Sequence, residues 1–157
     1  MASAASSGAN GAKRKIYKEV LTFPNAQNEK LEGNLESYAP IEQKQGPAAS
    51  DQVTAKRGAL IICHGLLSHR QWELGIALSK VVLDAVGSHT DVFRFDFAGN
   101  GGSEGVWEYG GYAKCVSDLR CAVELLRARS YEVHTLLGHS MGGNVCRCRP
   151  TGQCRCS

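Results

Sequence analysis

Apolar and polar positions alternate from Ile16 to Phe23 and again, more weakly, from Lys30 to Ser37. Period-two alternation predicts half-buried strands, and the polar Asn25–Asn28 link makes them a hairpin. Ala59 to Cys63 is instead a continuous apolar run, the pattern of a strand covered on both faces in a parallel sheet. From Arg70 to Val86 the apolar residues Trp72, Ile76, Val82 or Leu83, and Val86 recur near helical spacing, and Gly87 can close the helix. Asp91 to Phe95 predicts another strand. The clearest helix runs from Tyr112 to Arg127, with Val116, Leu119, Val123 and Leu126 on one face and charges opposite. Val133 to Leu137 predicts a last short buried strand, followed by a tight turn and the start of a helix.

The resulting order is hairpin, strand-helix, strand-helix, strand-turn-helix. Such alternation predicts an α/β fold, with an antiparallel hairpin leading into parallel strands joined by crossover helices. Functional residues of such sheets gather at the carboxyl ends of the strands. Here those ends are His64-Gly65, Asp96 to Gly105, and Ser140.

Composition sets the boundaries. At 157 residues, with 43% hydrophobic and 21% charged, the chain suits one globular unit rather than a disordered one. Residues 1–15 hold almost nothing that could be buried, and a disordered leader is expected there. A body at 16–145 and a Cys/Arg-rich tail at 146–157 follow. Tyr38 to Arg57, with Pro40 and Pro47, is expected to be a surface connection. No run of eighteen apolar residues exists, so no membrane span is predicted, and a cytoplasmic location is expected. The leader, without an acid before Glu19, is also compatible with an organelle transit sequence.

The net charge of +3 resides in Arg147, Arg149 and Arg155, because residues 1–145 carry fifteen basic and fifteen acidic side chains. The body therefore has no basic bias, and nucleic acid is not an expected partner. Cysteine is equally uneven. Cys63 lies in an apolar strand and Cys115 and Cys121 on a helix, as free thiols would; Cys146, Cys148, Cys154 and Cys156 crowd the tail as C-x-C-x5-C-x-C. Four thiols can bind one zinc, but the spacing departs from the usual C-x2-4-C, so no metal site is assigned and tail zinc binding stands as a minor alternative.

The candidate chemistry centres on Gly138-His139-Ser140-Met141-Gly142. This is G-x-S-x-G between a strand and a helix, where a serine at a sharp turn is exposed as a nucleophile and flanking glycines let the neighbouring elements approach. His64-Gly65-Leu66-Leu67 ends its strand where backbone amides could stabilise a developing oxyanion, so Leu66 and Met141 are the expected donors. The His64 side chain is assigned a structural role. Asp96 to Ser103 does not fit a phosphate-binding loop, because its glycine spacing fails G-x-G-x-x-G; a surface turn or a wall of the cleft is expected.

Taken together, CHGLLSH at 63–69, FRFDFAGNGGSEG at 93–105 and LLGHSMGGNV at 136–145 resemble the α/β-hydrolase superfamily, within it the serine aminopeptidase-like and acylglycerol-lipase-like esterases. The resemblance covers Ile16 to Val145. It implies a lipase-like serine hydrolase that uses a Ser-His-Asp triad on a small carboxylic ester, with no cofactor. Ser140 would be the nucleophile, Leu66 and Met141 the oxyanion donors, and His64, Gly65, Gly138 and Gly142 supporting residues. In the superfamily the triad acid and base follow the nucleophile in the chain. Residues 141–157 contain no Asp, Glu or His, so neither can be assigned, and an inactive half-domain or a noncatalytic binding fragment is the expectation for this chain.

Overall fold

The computed structural model describes residues 14–41 and 56–148. The predicted leader to residue 13, most of the connection after Tyr38, and Cys154 and Cys156 of the tail lie outside the described residues. Five strands form one mixed sheet in the order β1-β2-β4-β3-β5. β1 (Tyr17–Pro24) and β2 (Lys30–Ser37) are the expected antiparallel hairpin, and β2 pairs antiparallel with β4 (Thr90–Phe95). β3 (Arg57–Cys63) lies parallel between β4 and β5 (Tyr131–Gly138). Helix α1 (Glu73–Val86) connects β3 to β4, α2 (Tyr112–Ala128) connects β4 to β5, and α3 (Met141–Arg147) follows β5. The expected α/β architecture is therefore present.

Strand alternation divides the core between the two faces. Ile61 and Phe93 join the larger cluster with Leu119, Val123 and Leu126 of α2 and Val145 of α3. Their neighbours Ile62 and Val92 join Leu83 of α1 on the opposite face. The apolar stripe expected on α2 is buried throughout.

α1 departs from its sequence pattern. It begins at Glu73, and its buried residues are Gly75, Ser79 and Leu83, not the Trp72-Ile76-Val86 face; Ile76 and Val86 are exposed. The reason is local and polar. Trp72 lays its ring over Gly75, where a Cβ would come within 2.3 Å of it, and Ser79 donates a hydrogen bond to the buried Glu36 carboxylate. That carboxylate also pairs with Arg94, which is 1% exposed. A small-residue stripe thus brings the helix to an ion pair that an apolar periodicity cannot announce.

β5 lies at an edge of the described sheet, and Val133, Leu136 and Leu137, read from the sequence as a buried strand, are only half-buried. α3 runs through Arg147, two residues into the segment expected to be a tail, with Val145 buried and Cys146 packed on the core.

Candidate active site

Three loops leave the carboxyl ends of β3, β4 and β5 and meet above the sheet. The last is the sharpest. Ser140 has φ 53° and ψ −118°, a left-handed conformation that a residue with a Cβ adopts only against strain. Hydrogen bonds hold it there: the His139 amide donates to Cys63 O at 3.1 Å, the Gly142 amide to His139 O at 3.0 Å, and the Gly143 amide to Ser140 O at 2.9 Å.

The flanking glycines are sterically required. A Cβ at Gly138 would lie 2.3 Å from Gly142 O, and a Cβ at Gly142 would lie 2.4 Å from Cys63 O. Each neighbour is backbone and cannot swing aside. The G-x-S-x-G spacing therefore lets α3 approach the ends of both β5 and β3.

Leu66, Ser140 and Met141 line one cleft of about 210 Å³, with Trp107, Tyr109 and Tyr112 along its other wall. Neither the Leu66 nor the Met141 amide donates to a backbone acceptor in the turns and loops of the described residues. Ser140 is exposed, and no described side chain hydrogen-bonds to it. The serine and the two residues with uncommitted amides thus line a common space.

His64 is elsewhere in its chemistry. It is fully buried; the Phe97 amide donates to Nε2 at 3.2 Å, which puts the proton on Nδ1, and Nδ1 donates to Gly65 O at 2.7 Å. Burial pushes its pKa below the usual histidine value. Both ring nitrogens are thus engaged in holding the β3 and β4 loops together, in keeping with the structural role expected of it. Gly65 sits beneath the serine turn: a Cβ there would meet His139 Nδ1 at 3.0 Å and Ser140 Cβ at 3.4 Å.

The loop after β4 is occupied with itself. Asp96 is buried and accepts hydrogen bonds from the Arg70 amide and guanidinium and, at 2.8 Å, from the Gly102 amide. Arg70 also pairs with Glu32 at 2.7 Å. The Ala98 amide donates to Asp118 at 2.9 Å, and burial raises the pKa of that carboxyl. None of these side chains lines the cleft at Ser140.

Of the two readings left open for Asp96 to Ser103, a surface turn or a cleft wall, the lining of this cleft favours the surface turn. The wall comes from Trp107, Tyr109 and Tyr112, after the glycine-rich turn and not within it. The available signal was the aromatic run in VWEYGGY, whose residues fit neither a strand nor the buried face of α2. Among the described residues there is no cluster of three or more metal-ligating side chains, and no helix long and apolar enough to cross a membrane.

Comparison with known proteins agrees with this fold. An esterase of Pyrococcus furiosus superposes with a TM-score of 0.63 at 21% identity, over 83% of this chain and 45% of the esterase. Est1E of Butyrivibrio proteoclasticus, solved with ferulic acid bound, gives 0.62 at 21% identity over 80% of this chain and 45% of its own. The α/β hydrolase GrgF of a Penicillium species gives 0.59 at 19% identity over 82% and 39%. At these identities the likeness concerns the fold, and the chain spans less than half the length of each. No curated protein sequence matches. The family described as "Serine aminopeptidase, S33" matches residues 54–147, which run from just before β3 to the end of α3 and make up more than half of the chain. With its partial α/β-hydrolase sheet, the chain belongs to this serine aminopeptidase family of hydrolases.

Proposed function

We propose that the site serves hydrolysis of a small carboxylic ester through an acyl-serine intermediate on Ser140. The observation that carries this reading is the meeting of Ser140 with the uncommitted Leu66 and Met141 amides in one cleft. Attack of Ser140 Oγ on an ester carbonyl moves negative charge onto the carbonyl oxygen. Two preorganised N–H groups stabilise that charge more in the transition state than in the ground state. Because Ser140 is held by its turn, no rotation of the backbone is needed to present Oγ. His64, Gly65, Gly138 and Gly142 support the geometry and touch no substrate.

Activation of Oγ is the missing element. Residues 141–157 contain no acid or histidine, His64 is committed on both nitrogens, and Asp96 is held by Arg70. The 157 residues by themselves are therefore a weak catalyst, about four to six orders of magnitude below a complete triad, by analogy with triad deletions in other serine hydrolases. Incubation with p-nitrophenyl acetate tests both parts. Slow nitrophenolate release that disappears in Ser140→Ala, with an acetyl group mapped to Ser140, is the expected result. Release unaffected by that substitution would refute the nucleophile; turnover at rates ordinary for esterases would refute the missing base.

A further inference from the structure

Behind Ser140, a thiol on β3 and a thiol on α3 belong to one packed cluster. Cys63 ends β3 and is fully buried, and its carbonyl receives the His139 amide. The same carbonyl is the atom against which Gly142 packs. Cys146 stands four residues beyond Gly142, one helical turn along the same face of α3, and so comes down over β3. Cys146 is half-buried against the core cluster that contains Cys63. Neither is in a disulfide.

We propose that Cys63 and Cys146 form a peroxide-oxidisable dithiol, which closes to a disulfide joining the end of β3 to α3 immediately behind the Ser140 turn. The pair divides the work. Interaction with the Cys146 thiol, together with burial, raises the pKa of Cys63, and Cys63 lowers that of Cys146, favouring the Cys146 thiolate. Cys115 and Cys121 are shifted the other way by burial, Cys115 to about 11. Cys146 is thus the more nucleophilic thiol, partly open to solvent, with a second thiol already beside it, the arrangement of a reactive cysteine next to its resolving partner.

The step balances with a hydroperoxide as oxidant. The Cys146 thiolate attacks one peroxide oxygen, the O–O bond breaks, and the alkoxide leaves as alcohol with a proton from water. Cys146 is then a sulfenic acid. Cys63 Sγ attacks that sulfur, the S–S bond forms, and hydroxide departs as water with the Cys63 proton. Two electrons pass from the thiol pair to the peroxide. The bond requires the sulfurs to close to bonding distance, a shift that α3, only seven residues long, must supply.

Cross-linking here would fix α3, which begins at Met141, to the strand that leads into Gly65-Leu66. Its detection does not depend on esterase activity. The full 157-residue chain is treated with tert-butyl hydroperoxide, blocked with iodoacetamide in denaturant, and mapped by mass spectrometry, alongside a Cys154→Ser/Cys156→Ser variant that removes competing tail thiols. The expected result is a Cys63–Cys146 linked peptide in both proteins, formed at least about tenfold faster than oxidation of Cys115 or Cys121. Cys63→Ala should leave Cys146 as a sulfenic acid that dimedone traps. Should that variant not fold, the linked peptide in the wild-type chain decides alone. Recovery of Cys63 fully alkylated after oxidation, or of Cys146 linked to any other cysteine, would overturn the proposal.

Discussion

The loop after β4 and the turn after β5 lie side by side at the same end of the sheet, and they treat their polar groups in opposite ways. In the first, Asp96, Gly102, Ser103 and Ala98 all bond to partners within the protein; Ser103, for instance, donates to Asp96 O at 2.7 Å and receives the Glu32 amide at 2.9 Å. In the second, Ser140 is strained, and its hydroxyl and the Met141 amide remain uncommitted, as does the facing Leu66 amide. Both loops are rich in glycine. Where hydrogen-bonding capacity is saturated, the loop serves the fold; where it is left over and aimed at a cleft, it is available to a substrate.

Substitutions should separate the two loops by size and sign of effect. Asp96→Asn has the largest expected cost, about 3 kcal/mol, because it removes one partner of a buried ion pair and leaves Arg70 undercompensated. Urea denaturation measures it, and a loss under about 1 kcal/mol would show that the β4 loop is not held by this charge. Gly142→Ala comes next. Its methyl meets the Cys63 carbonyl at 2.4 Å, and overpacking against backbone should cost about 2 kcal/mol. Gly143→Ala is the control, since its nearest atom, Gly138 O, is 3.2 Å away. Equal losses at the two positions would contradict the close approach of α3 to β3.

At the serine the sign reverses. Ser140→Gly relieves the left-handed strain and should stabilise the protein by about 1 kcal/mol, a rise in urea midpoint where the other substitutions lower it. A fall would mean that the turn is not strained.

The smallest effect is in pH. The folded-state pKa of His64 is depressed, so as pH falls below 6.5 the unfolded chain takes up a proton that the folded chain refuses. Stability should therefore decline from pH 7.5 to 5.5. A histidine-to-glutamine change at position 64 should flatten that decline, and an unchanged slope would place the pH dependence elsewhere.

Much of the fold could be read from the chain because its signals are local. α2 carries a full amphipathic stripe, the hairpin strands alternate, and the serine turn needs glycines that no other residue can replace. What escaped reading depends on distant partners. The sheet-facing side of α1 is set by Glu36 and Arg94, which lie on β2 and β4, so its apolar spacing misleads by one position. β5 has the composition of a covered strand, yet its apolar side chains are only half-buried among the described residues. At the site, Ser140, Leu66 and Met141 came from motif and strand position. Trp107, Tyr109 and Tyr112 did not, since no periodicity marks a loop that folds over a cleft. The packing of Cys146 against the cluster that holds Cys63 was equally hidden, because it joins a strand to a helix far along the chain.

The central claim is that the Ser140 turn holds a nucleophile position beside two uncommitted oxyanion donors, without the triad's base and acid. Ser140→Cys tests it most directly, because a thiol ionises by itself and needs no histidine. With p-nitrophenyl acetate, acylation mapped to position 140 should run about 10²-fold faster per thiolate in the folded variant than in the same variant unfolded in urea, the scale of an oxyanion donor's contribution. Equal rates folded and unfolded would contradict the account.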